Sequence, residues 1–372
     1  MLNLIVLFIN FKLIFVSIIG YGFVINKLFF KNSNLELIGF IGLSFLTFLS
    51  LITSIFARHD YLHNLSILIV GFIFFFVFVY KDARKIKYSK KIFLLAVILF
   101  PILITAATHN DFNYYHLPFT RYLTENKVVF GIGHANHGYN FMSSLFYLNS
   151  IFVVPFTKYN SLHFSSLYFL IFFNYFLLYF IFVNDNKNFE LKFLSFLSFL
   201  FFNIIFLKID NFGTDYTGQL LIIVLFIYLI KSIDIKTDKI KIENLSIFIF
   251  LLIFSITLKT IYVSYVLLTI IILFDLFNKK KAKLILPIIF SKIFIICILF
   301  VFANSFHHFA HSGCFISPIK ITCFPKHAFW SVDHVTSGNL AIYVEFWAKG
   351  GVGLFKNVTY EMMQEYNSNF MW

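Results

Sequence analysis

Residues 65–87 read LSILIVGFIFFFVFVYKDARKIK. Positions 65–80 hold no charged side chain, and the seven that follow hold four basic ones. An apolar run that stops against lysine and arginine is how a bilayer-crossing helix meets a basic loop. Outward from this stretch, further apolar runs cover approximately 2–25, 35–56, 91–107, 139–156, 163–183, 193–207, 217–230, 245–258, 260–277 and 284–304. Hydrophobic residues make up 60% of the 372 positions and charged residues 13%, and Phe occurs 57 times. Soluble domains sit nearer half apolar and a quarter charged. Lipid is therefore the solvent, and the spanning elements are helices or a closed barrel. Barrel strands alternate apolar and polar residues. These runs do not, so the expected fold is an all-α polytopic transmembrane bundle.

The net charge of +13 has the same origin. Its lysines gather in three short loops, 81–91, 231–241 and 279–283. Basic loops face the cytoplasm, so the charge is read as topology, with no nucleic-acid partner. Segment 2–25 lacks a basic start and a small-residue cleavage site, and reads as a retained helix. With the three basic loops inside, loops 108–138 and 208–216 fall outside. Segment 139–156 then begins and ends on the outer side. Asn140, Ser143, Ser144, Asn149, Ser150 and Pro155 interrupt it, which suits an interfacial amphipathic helix. The expectation is a transmembrane domain 1–304 of about ten spans, with outer loop 108–162 containing the interfacial helix 139–156. A short outer C-terminal region, 305–372, follows with one or two helices.

Polar residues that could carry chemistry fall on the outer side. Asp111 lies just past segment 91–107, where a partly desolvated carboxylate needs a partner. It is a candidate general base or metal ligand, or else a cap for the next helix. His116, five residues on, could face the same cavity. In loop 208–216, Asp210 and Asp215 are also available, and one of them is expected to cap segment 217–230. Lys259 is the single charge between Glu243 and Asp275. It either snorkels to the interface or binds a phosphate. Arg121, one of three arginines, could serve the same end.

The tail opens with His307, His308 and His311, then Ser312-Gly313-Cys314. This histidine spacing does not match a zinc pattern, so His311 and its neighbours read as cavity-lining or structural. Cys314 and Cys323 face the oxidising side in this topology, which allows a disulfide. Cys297 lies within a span.

The stretch from Asp111 to Ser144 (Asp-x-x-x-Tyr-His-Leu-Pro, a Gly-x-Gly, then Asn-x-x-Ser-Ser) resembles the first large outer loop of bacterial polytopic glycosyltransferases of the GT-C type. Gly213-Thr214-Asp215 is similar to their second polar loop. Leu258-Lys259 and the Ser312-Gly313-Cys314 … Pro318 opening add to the likeness with one branch of that group. Asp111 follows the fourth span here, where the family's first outer loop usually follows the first.

The resemblance implies a membrane transferase of the bacterial inner membrane with a periplasmic active face. It would take a sugar from a polyprenyl-phosphate donor and pass it to a lipid, glycan or protein acceptor. Asp111 matches the family's catalytic base, which in some members helps to bind a divalent metal. In such an inverting transfer Asp111 would deprotonate the acceptor hydroxyl, with His116, Arg121 or Lys259 neutralising the leaving phosphate. Asp215, His311 and Ser312 would line the substrate site. Two rival readings are a transporter or flippase of a lipid-linked or anionic solute, and a non-catalytic assembly subunit. A transporter predicts ionisable residues near mid-membrane; within the apolar runs only Lys12 and Lys292 are clear examples.

Overall fold

A computed structural model describes residues 2–30, 34–80, 82–105, 111–183, 189–206, 214–233, 237–317, 319–351 and 358–369. Among them the chain is all-helical, with one isolated β-bridge between Cys314 and Cys323. The first helices are α1 (Leu2–Phe29), α2 (Ile38–Phe56), α3 (Tyr61–Val79), α4 (Ala83–Leu99), α5 (Leu117–Glu125) and α6 (Ser144–Ile151). They are followed by α7 (Phe164–Leu178), α8 (Phe189–Ile205), α9 (Tyr216–Ile233), α10 (Asp238–Leu258) and α11 (Leu267–Asn278). The last are α12 (Ile285–Ile289), α13 (Lys292–Ser312), α14 (His334–Ala348) and α15 (Tyr360–Asn369).

Among the described residues, nine helical stretches are long and apolar enough to cross a membrane. They contain α1 to α4, α7, α9, α10, α11 and α13. The protein is a multi-pass helical membrane protein. The expected segment 193–207 corresponds to α8, whose 17 residues make about 26 Å of helix. That falls a little short of a hydrocarbon core of ~30 Å.

The chain divides into two compact units, Met1–Lys127 with Ser143–Ala303, and Val128–Met142 with Asn304–Trp372. The second unit thus takes residues 128–142 from the loop as well as the tail. In the first unit α1 packs closely on α2 and α3. A Cβ on Gly20 would strike the carbonyl oxygen of Gly71, and one on Gly42 that of Ile18. In lipid the hydrophobic effect does not draw helices together, so such small-residue contacts let the backbones approach. The Tyr168 hydroxyl of α7 donates to the Phe11 carbonyl of α1 at 2.8 Å. Phe76, Leu94 and Phe274 stay exposed, as suits side chains that face acyl chains.

Polar contacts mark the two ends of this unit. At one end Glu36 pairs with Lys231 at 2.7 Å, and Asp275 with Lys279 at 2.7 Å. Lys241 reaches Asp275 and Lys281 reaches Asp238, both at 2.5 Å. At the other end the His59 ring lies 2.6 Å from the Ser150 hydroxyl, and the His59 amide donates to the Leu123 carbonyl at 2.9 Å. The Ser143 hydroxyl donates to the Leu258 carbonyl at 2.6 Å, and Ser144 to Thr257 at 3.0 Å.

Segment 139–156 differs from its expected form. Its helix, α6, has eight residues, and every one is buried. It therefore has no face turned outward to an interface. Asn140, Ser143, Ser144, Asn149 and Ser150, which suggested amphipathicity, are all buried, and the Asn64 amide donates to the carbonyls of Ser150 and Val153 at 2.8 and 2.7 Å. The last expected span, 284–304, also shifts. Pro287 stands in the first turn of the short helix α12, which ends at Ile289. The Ser291 hydroxyl then accepts from the Phe294 amide at 3.2 Å, capping α13, which runs on to Ser312.

In the second unit the Gly131 amide donates to the Ala310 carbonyl at 2.7 Å. The Trp330 indole donates to the Phe309 carbonyl at 3.0 Å, and the His134 ring meets the Trp330 carbonyl at 2.8 Å. A disulfide joins Cys314 and Cys323. The tail helices α14 and α15 pack through Phe346 and Tyr366, with ring centroids 5.1 Å apart.

Candidate functional site

Asp111 opens the turn of wide helix Phe112–His116 that leads into α5, and its side chain makes no capping bond to that turn. Such wide turns re-aim side chains and recur at functional sites. Here the turn presents Tyr115 to Asp111 and brings it within the field of Asp215. Burial, then the negative charges of Asp111 and Asp215, push the Tyr115 hydroxyl above its ordinary value. It therefore stays protonated in the field of two carboxylates.

Asp215 precedes α9, and its carboxylate forms an ion pair with Lys259, in the turn after α10. The backbone carbonyl of Asp215 accepts from the Tyr262 hydroxyl at 2.9 Å. The Tyr262 ring lies against Gly218, where a Cβ would collide with it. Asp215 is thereby tied from both its side chain and its main chain to the turn that follows α10. Lys259 is about half exposed, at 45% of its side-chain surface. Its ammonium is accessible to an incoming anion while Asp215 holds it in place.

Asp111, Tyr115, Asp215, Lys259 and Tyr262 thus share the end of the first unit opposite the Glu36–Lys231 and Lys241–Asp275 pairs. Tyr115 stands in the Asp-x-x-x-Tyr-His-Leu-Pro motif, which gave it no role, and Tyr262 has no sequence signal. Only the turn around residues 112–116 brings Tyr115 into the field of two acids.

The other sequence candidates sit differently. His116 is buried, its ring 4.4 Å from that of Tyr115 and 5.2 Å from that of Phe146. Its ring is packed against both and is closed to solvent. Arg121 is exposed and pairs with Glu125 one helical turn on, at 2.7 Å, so its guanidinium is engaged on the surface of α5. His311 and Ser312 belong to the second unit and stand on the last turn of α13, both buried. The Ser312 hydroxyl donates to the His308 carbonyl at 2.9 Å and accepts from the Cys314 amide at 3.3 Å. It is a local fastening of the helix end. Asp210 lies outside the described residues. Among the described residues, no group of three or more His, Cys, Asp or Glu side chains is placed to hold a metal ion.

Fold and site together define a multi-pass helical membrane protein with an acid–tyrosine–lysine constellation at one end of its bundle. The chain matches, over residues 4–356, the family described as a domain of unknown function, DUF8201, and it belongs to that family. No curated protein and no solved structure matches the chain.

Proposed function

We propose that this chain is a membrane glycosyltransferase. It moves a sugar from a polyprenyl-phosphate donor to an acceptor on the periplasmic face of the bacterial inner membrane. The observation that carries this reading is the convergence of Asp111, Tyr115, Asp215 and Lys259 at the end of the bundle away from the basic loops. Positive loops stay cytoplasmic, which supports a periplasmic reading of this end. The resemblance of Asp111–Ser144 to the first outer loop of GT-C enzymes supplies the reaction class.

In the proposed step the Asp111 carboxylate takes the proton of the acceptor hydroxyl. The freed oxygen attacks the sugar's anomeric carbon as its bond to the lipid phosphate breaks. Lys259 stabilises the phosphate that leaves. Asp215 holds Lys259 before the donor arrives, and Tyr115 stays protonated in the field of both carboxylates. The His116 ring packs against that of Tyr115.

The test is direct. Purified protein in lipid nanodiscs is incubated with radiolabelled polyprenyl-phosphate hexoses and a membrane extract as acceptor. Transfer of label out of the polyprenyl lipid supports the reading. Absence of transfer and of donor hydrolysis across the donor panel removes it.

A further inference from the structure

At the end of the first unit opposite the candidate active site, a cleft of about 440 Å³ opens between the last turn of α1, the first turns of α10 and the start of α13. Its apolar walls include Leu28, Phe29 and Ile293, and its polar lining includes Glu243, Ser246 and Lys292. The volume falls in the range of small-molecule sites. Leu28 is exposed beside it and Lys292 is exposed at its rim.

Lys292 is the first residue of α13. A cation there is opposed by the partial positive charge of the helix start. Among the described residues no carboxylate lies within ion-pair distance of it. The neighbouring lysines Lys231, Lys241, Lys279 and Lys281 all have carboxylate partners. Glu243 lines the same cleft, so the cleft combines a positive group, a negative group and an apolar wall. Basic pockets between membrane helices take lipid head groups, and the carboxylate adds a preference for a head that also carries positive charge.

We propose that this cleft binds a membrane phospholipid whose head carries both a phosphate and a primary ammonium. The phosphate meets Lys292, the ammonium meets Glu243, and the acyl chains run along Leu28, Phe29 and Ile293. This site lies at the basic end of the bundle and stands whether or not the opposite end transfers sugar.

The test uses the full chain in detergent, with binding of three probes read by native mass spectrometry. These are dioctanoyl phosphatidylethanolamine, dioctanoyl phosphatidylglycerol and soluble O-phosphoethanolamine. The expected result is one tightly held phosphatidylethanolamine per chain, preferred over phosphatidylglycerol, with O-phosphoethanolamine weaker than the lipid. Lys292→Ala should weaken the lipid about tenfold, Lys292→Arg should keep it, and Lys283→Ala outside the cleft lining should leave it unchanged. Glu243→Gln should erase the preference between the two lipids, a ratio that is read within one folded sample. Equal binding of the two lipids by wild type would overturn the proposal. So would undiminished binding by Lys292→Ala, or O-phosphoethanolamine binding as tightly as the lipid.

Discussion

The ammonium of Lys259, in the turn after α10, is ion-paired with the carboxylate of Asp215, the residue before α9. The two are 44 residues apart in sequence, and each is partly open to solvent. An exposed pair of this kind contributes only about 0–1 kcal/mol to stability. Asp215 also acts electrostatically on Tyr115, a setting that suits binding better than folding. Lys259→Ala is therefore expected to leave thermal unfolding in detergent nearly unchanged. Sugar transfer should fall about a hundredfold, as for loss of one charge-stabilising group. A large drop in melting temperature with no specific loss of transfer would assign the pair to the scaffold.

Tyr115 gives a pH prediction. Burial first, then Asp111 and Asp215, raise its hydroxyl above the ordinary tyrosine value. A raised value means that the fold favours the protonated form. That stabilisation is complete below the unfolded tyrosine value and is lost as pH rises through the folded one. Tyr115 should thus remain a donor through neutral and mildly alkaline pH. Tyr115→Phe should lower transfer at every pH up to that limit without changing the shape of the profile. A profile whose alkaline limb disappears in Tyr115→Phe would contradict this.

Much of the bundle is readable in the chain because lipid imposes a blunt rule. Residues 65–80 or 245–258 must form helices when water is absent to satisfy their backbone. The finer geometry is not carried by hydropathy. Segment 139–156 has the polar residues of an interfacial helix, yet Ser143, Ser144 and Ser150 spend their hydroxyls on Leu258, Thr257 and the His59 ring. Those partners are remote in sequence, so burial of α6 cannot be seen locally. The shift of the last span to Lys292–Ser312 follows the break after Ile289 and the cap at Ser291, which an apolar average conceals. At the site, Asp111, Asp215 and Lys259 are legible as charges in short loops. Their shared neighbour Tyr115 depends on one wide turn, and the inward packing of His116 depends on Phe146.

The α6 anchor can be tested by stability. The buried Asn64 side chain donates to the carbonyls of His59, Ser150 and Val153 at 2.9, 2.8 and 2.7 Å. Asn64→Leu would take the side-chain donor from the His59 and Val153 carbonyl oxygens, at a cost of about 1–3 kcal/mol, while Ser150 keeps its bond from the Val153 amide. The variant's unfolding midpoint in urea or detergent should drop accordingly. No change would mean that α6 is held by packing alone.

The three cysteines report on topology. Cys314 and Cys323 are joined and Cys297 is free. Protein taken from cells, denatured and treated with a maleimide polymer should gain one adduct without reductant and three after reduction. Three adducts without reductant would place the tail on the reducing side and reverse the proposed orientation.

If Asp111 removes the acceptor's proton, single-turnover sugar transfer from polyprenyl-phosphate hexose should be about 10²–10⁴ slower in Asp111→Asn than in wild type, with donor binding retained. Transfer by Asp111→Asn at the wild-type rate would contradict it.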